Sequence, residues 1–94
     1  MLEIFISKVS DDLLNLRGAI NNKEIKTIKR ISHDLKNSMP FAGLLHLNPI
    51  LTEIENDAMK NSISKSTSDK FTRINEEVKK YIPGIQKILS TNYN

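Results

Sequence analysis

With two histidines, no cysteine and only three scattered glycines, this 94-residue chain has few side chains that could do chemistry. The one in informative company is His33, in the run Ile31-Ser32-His33-Asp34-Leu35-Lys36-Asn37-Ser38. If residues 24 to 39 form a helix, then at ~100° per residue Ile25, Ile28, Ile31, Ser32, Leu35 and Met39 gather on one stripe. His33 projects roughly 140° from the centre of that stripe, towards water. Lys29 and Arg30 fall one turn before it on the outer face, Lys36 and Asn37 one turn after, and Lys26 and Pro40 two turns away. Asp34 points elsewhere in this reading, so the expected patch holds no carboxylate. An exposed imidazole ringed by cations is suited to carry an anion, and the anion that histidine bears covalently in signalling chemistry is a phosphoryl group. His46 lacks such company: it lies among Leu44, Leu45 and Leu47 near a helix start and reads as structural or incidental.

The elements that must present His33 follow from apolar spacing. Leu2, Phe5, Ile6, Val9, Leu13, Leu16 and Ile20 recur at three and four residues, which predicts a first helix over about 2–20. Asn21, with Glu24 three residues on, makes a capping-box pattern for a second helix over about 23–39, ended by Pro40 and Gly43. A third helix begins between 44 and 48, where Asn48-Pro49 suits a cap and first turn, and buries Leu47, Ile50, Leu51, Ile54 and Ala58. After a polar loop over 60–66, Ser66 or Ser68 caps a fourth helix. Its apolar positions Phe71, Ile74, Val78, Tyr81, Ile82, Ile85, Ile88 and Leu89 keep phase across Pro83-Gly84, which predicts a kink at Pro83, where an amide hydrogen is missing. Four amphipathic helices with short connections make the expected fold all-α, an antiparallel up-down bundle forming a single domain over 1–94.

Composition narrows the function classes. Aromatics make up 5% of the chain and the core must be aliphatic; without cysteine there is no disulfide, thiolate nucleophile or cysteine-based zinc site, and two lone histidines make no metal centre. The apolar run at residues 2–6 is interrupted by Glu3 and followed by Lys8, too short and too charged for a signal peptide or a membrane span, so a soluble, cytoplasmic protein is expected. The net charge of +3 fits either an anionic partner or a solvated lysine-rich surface.

The sequence resembles a histidine-containing phosphotransfer domain, the HPt module of bacterial multistep phosphorelays. The family motif is a phosphorylatable histidine, a leucine two residues later, a lysine at the third position, a small pair, and a glycine ten residues after the histidine. His33, Leu35, Lys36, Asn37-Ser38 and Gly43 occupy those slots. Leu47 matches a leucine four residues past the glycine, Ile54-Glu55 an aliphatic-Glu pair further on, and Phe5 a phenylalanine of the first helix. Asn37 stands where most members have glycine, and Pro40 is unusual in the turn that follows, which bears on how a partner packs there.

The resemblance implies that His33 takes a phosphoryl group from an aspartyl phosphate on a response-regulator receiver domain and later returns it to another receiver aspartate, with a hybrid histidine kinase upstream. Imidazole titrates near neutrality, so a nucleophilic neutral fraction is available. On this reading Lys36 stabilises the phosphoryl oxygens, while Lys29, Arg30, Asn37, Ser38 and Pro40 face the receiver, and Asn37 or Ser38 could donate a hydrogen bond. Met39, Phe41 and Leu44 could add an apolar rim, although core packing suits Met39 equally well. The chain would be a monomeric phosphocarrier with no cofactor of its own and no ATP-dependent kinase activity, the metal residing on the receiver. Two alternatives stand beside this: a non-catalytic basic adaptor whose Lys26, Lys29, Arg30 and Lys36 bind nucleic acid or an acidic protein, and a degenerate module that docks on receivers unphosphorylated. The scarcity of exposed aromatics for base stacking disfavours nucleic acid.

Overall fold

A computed structural model describes residues 2–81, with side chains from residue 7 onward except at position 42. Four α-helices follow in order: α1 (Leu2–Asn21), α2 (Ile25–Ser38), α3 (Asn48–Met59) and α4 (Lys65–Tyr81). Two 3-10 turns, Met39–Ala42 and Leu45–Leu47, connect α2 to α3, and no strand occurs among the described residues. Each helix packs on its sequence neighbours and α4 closes back on α1, as an up-down bundle requires. No described helix is long and apolar enough to cross a membrane.

The predicted stripes meet in one core. Val9, Leu13, Leu16 and Ile20 of α1 face Ile28, Ile31 and Leu35 of α2, Leu51, Ile54 and Ala58 of α3, and Phe71, Ile74 and Val78 of α4. Met39, Leu44 and Leu47 extend the core beneath the α2–α3 connection, so Met39 and Leu44 belong to the interior, whereas Phe41 and Leu45 remain exposed. Burying each large aliphatic side chain contributes ~1.5–3 kcal/mol, which fixes the rotation of α2 and hence the direction in which His33 points. Tyr81, read as a core position, is 54% exposed, and its ring meets that of His46 instead of entering the core. The predicted kink at Pro83 and the apolar positions beyond it lie outside the described residues, as do the side chains of Leu2, Phe5 and Ile6.

Two of the helix ends correct capping expectations. Asn21 does not cap α2; it is the last residue of α1. The chain turns instead through Lys23, whose φ of 55° is left-handed, with the Lys23 amide donating to Ile20 O at 3.1 Å and the Glu24 amide to Ala19 O at 2.9 Å. This paired pattern is a Schellman ending, which satisfies the α1 carbonyls before α2 can begin, at Ile25. Asn61 ends α3 in the same way, at φ 54°. Neither Ser66 nor Ser68 caps α4. Ser64 does: its hydroxyl accepts from the Ser66 amide at 3.2 Å while its own amide donates to Thr67 Oγ1 at 3.2 Å, a reciprocal box with threonine in place of glutamate.

Two polar clusters cross helix seams. On the α3–α4 seam, Asp57 Oδ2 accepts from Thr67 Oγ1 at 2.8 Å and from Lys70 Nζ at 2.9 Å, with Glu53 3.8 Å from the same ammonium. Burial alone would push the Asp57 pKa up, but the Lys70 and Thr67 hydrogen bonds, with the charges of Lys70 and Lys60, outweigh it and hold the carboxyl below its ordinary range. The other cluster, on the α2–α3 seam, lies beside His33.

Candidate functional site

His33 is exposed on α2, and the residues before and after it explain why. Ile31, Ser32 and Leu35 are buried, so the helix is pinned by neighbours on both sides of the histidine and the ring has only the solvent face left. Lys26, Lys29, Arg30, Asn37 and Pro40 are exposed as well. Lys26 and Lys29 have no ion-pair partner among the described residues.

The rest of the predicted patch differs from expectation in three places. Asp34 is not remote from it: at the next turn from Arg30 on α2, its carboxylate lies 3.8 Å from the guanidinium, an exposed pair that tempers the Arg30 charge. Ser38 is not exposed; it is buried, and its hydroxyl donates to the Asp34 carbonyl at 3.2 Å, because the chain folds over the last turn of α2 into the 39–42 turn. Lys36 is the third difference. Its position on α2 borders the apolar stripe rather than opposing it, and its side chain crosses to α3. There the ammonium donates to Glu55 Oε1 at 2.7 Å and approaches Thr52 Oγ1 at 3.4 Å. The two ion-pair partners are 23% and 19% exposed. The cation three residues from His33 is thus neutralised by a carboxylate of the next helix.

The same seam is tied once more at the backbone. Asn48, the first residue of α3, donates its side-chain amide to the Lys36 carbonyl at 3.0 Å, satisfying an acceptor in the last turn of α2. Asn48 was read as a cap, whereas Leu47 takes that place and Asn48 is already the first residue of α3. Thr52 and Glu55 were not picked out by the chemistry of the sequence, because they are contributed by α3, 16 and 19 residues from the lysine they meet. Their one signal was Glu55 itself, a charged residue next to the core position Ile54 and part of the motif match.

His46 stands apart. Its Nε2 is 3.9 Å from Glu77 Oε2 and its ring meets Tyr81 edge to face, with centroids 5.6 Å apart. Among the described residues no group of three or more His, Asp or Glu side chains is arranged to hold a metal ion.

What the arrangement can do is bounded by these contacts. A neutral ring nitrogen at His33 can attack an electrophile brought from outside, and none of the described residues covers it. The nearest cations along α2 supply a positive field, but the closest of them in sequence to carry its charge towards the core side is held by Glu55. The model of one protein family, described as Hpt domain, matches residues 1–83. No curated protein and no solved structure matches the chain.

Proposed function

Since this chain belongs to the Hpt domain family, whose members pass phosphoryl groups through histidine in phosphorelays, we propose that His33 is the phosphoacceptor. It receives the group from an aspartyl phosphate of a receiver domain and gives it to the aspartate of a second receiver. The observation that carries this reading is the exposure of His33 on a helix whose flanking residues are locked into the core. The ring is presented and held without being enclosed.

In the forward step the lone pair of a neutral ring nitrogen attacks phosphorus in line with the acyl oxygen. An N–P bond forms, the P–O bond to the aspartate breaks, and the carboxylate leaves with the electron pair. The other ring nitrogen keeps its proton until solvent removes it. Charge spreads over the phosphoryl oxygens in the transition state, so alignment and nearby cations are what this chain contributes. Lys29 and Arg30 supply a field across the exposed face, and Lys36 is the cation nearest along the helix on the side of α3. The receiver brings the acidic pocket and the metal, and the same reading has the protein acting as a monomer in the cytoplasm.

The test is incubation of the chain with aspartate-phosphorylated receiver domains, followed by mass mapping. Label is expected on His33 alone, stable to base and lost in acid. His33→Gln should abolish uptake, and His46→Gln should leave it at the native level. Uptake that survives His33→Gln, or is lost in His46→Gln, overturns the assignment.

A further inference from the structure

The lysine nearest His33 on the α3 side is already occupied. Lys36 Nζ is 2.7 Å from Glu55 Oε1, with Thr52 Oγ1 at 3.4 Å, and both charged partners are three-quarters or more buried. An ammonium has three donors, and the third of Lys36 has no partner among the described residues. His33 and Lys36 are neighbours on the helix surface, with Cβ atoms ~5–6 Å apart at this spacing. A dianionic phosphoryl group on His33 therefore appears within reach of a cation held by a competing monoanion.

We propose that Lys36 is divided in time between these two anions: Glu55 holds it in the unmodified protein, and the phosphoryl group on His33 draws it away when the histidine is loaded. Glu55 and Thr52 are then positioning residues, acting on the phosphohistidine only through Lys36. The free third donor lets the phosphoryl oxygens engage before the Glu55 contact is released, and the exchange makes and breaks no covalent bond. Coupling of this kind is reciprocal: if loading His33 weakens the hold of Glu55 on Lys36, the hold of Glu55 opposes loading by the same factor. The seam between α2 and α3 thus sets how strongly the histidine retains its cargo, and the loaded state loosens the side-chain tie on that seam while the Asn48 bond to the Lys36 carbonyl keeps the backbones together.

This inference rests on His33 being the phosphoacceptor, and the experiment separates the two. The full chain is equilibrated with a receiver domain charged by acetyl phosphate, and the ratio of phosphohistidine to aspartyl phosphate is read by gel and by phosphorus NMR. Glu55→Gln, which keeps the size and an acceptor oxygen but removes the charge, should raise that ratio about fivefold, the low end of coupling because the pair is partly hydrated. Lys36→Ala should lower it, and Glu55→Gln placed on Lys36→Ala should add nothing. A ratio unchanged or lowered by Glu55→Gln, in a protein whose thermal unfolding is preserved, overturns the inference. So does a gain that persists without Lys36, which would make Glu55 a bare repulsive charge. If Glu55→Gln does not fold, Thr52→Val, which replaces the hydroxyl with a methyl group of similar size, should move the ratio in the same direction by about twofold, and no movement overturns the inference equally. A native chain that no receiver loads at His33 overturns the functional reading and this inference with it.

Discussion

The α2–α3 and α3–α4 seams carry nearly the same device and use it differently. Each has a lysine crossing to a carboxylate on α3, at 2.7 Å for Lys36–Glu55 and 2.9 Å for Lys70–Asp57, with similar exposure of all four side chains. Each adds a threonine hydroxyl. On the α3–α4 seam every participant is committed: Thr67 bonds Asp57 while accepting from the Ser64 amide that starts α4, and Glu53 flanks Lys70 from the preceding turn. On the α2–α3 seam Thr52 only approaches the lysine at 3.4 Å, and among the described residues no second carboxylate pairs with Lys36 beside Glu55. Distance alone does not distinguish a clasp from a reserve of charge. What distinguishes them is whether the partners are used up and whether a chemically active side chain lies next door.

The largest expected effect that sharpens this contrast is on transfer. Lys36→Ala should slow single-turnover phosphoryl transfer about tenfold, equivalent to ~1.4 kcal/mol in the barrier, while circular dichroism shows helicity unchanged. Lys36→Arg should recover part of the rate, because a planar guanidinium places its donors differently from a compact ammonium. Native-rate transfer by Lys36→Ala would reduce the α2–α3 pair to a second clasp.

Next in size is the loss of stability expected in Asp57→Asn, which keeps an acceptor for Thr67 but removes the charge facing Lys70. About 1 kcal/mol should go, lowering the midpoint of thermal unfolding by ~4–8 °C in a domain of this size, with transfer at the native rate. The pH dependence has a definite sign. Because the folded protein holds the Asp57 pKa below its ordinary value of 3.8, its contribution is present above that pH and is lost as the pH falls through the lower, folded value. The gap in melting temperature between native protein and Asp57→Asn should therefore narrow as the pH is taken below about 4. A gap that widens in acid would contradict the charge assignment.

The smallest effects belong to the open face. Lys29→Ala and Arg30→Ala should slow transfer about twofold each at low salt, and the loss should fade at high salt, as expected of exposed charges acting at longer range. Arg30 should matter less than Lys29, since Asp34 already tempers it. Stopped-flow or quench measurements at two ionic strengths check both, and a salt-independent collapse in Arg30→Ala would move the key cation from the α3 seam to the outer face.

Much of this was legible in the sequence. The apolar periodicity located four helices and the rotation of α2 because burial of Ile28, Ile31 and Leu35 dominates every weaker preference. The exposed setting of His33 follows from the same rotation. The errors share a cause. Asn21 and Glu24 form a valid cap pattern, but the C-terminal bonds of α1 claim those residues first, and Ser64 pre-empts Ser66 and Ser68 in the same manner. Ser38 and Lys36 were misjudged because both border the apolar stripe, where a residue's fate depends on the neighbouring helix and not on its own period. No local pattern could reveal that Glu55 would meet Lys36.

The two left-handed endings have a different consequence. An L residue at φ near 55° costs ~1–2 kcal/mol, which asparagine tolerates better than most and lysine does not. Lys23 nevertheless sits there, between the C-terminus of α1, whose dipole attracts its charge, and the start of α2 at Ile25, whose dipole opposes it. A glycine would relieve the strain but give up that charge and add freedom to the unfolded chain. The strain at Lys23 is thus offset in part in the unfolded chain, where lysine has less freedom to lose than glycine would, so position 23 holds an L residue at less cost than its backbone angle alone suggests.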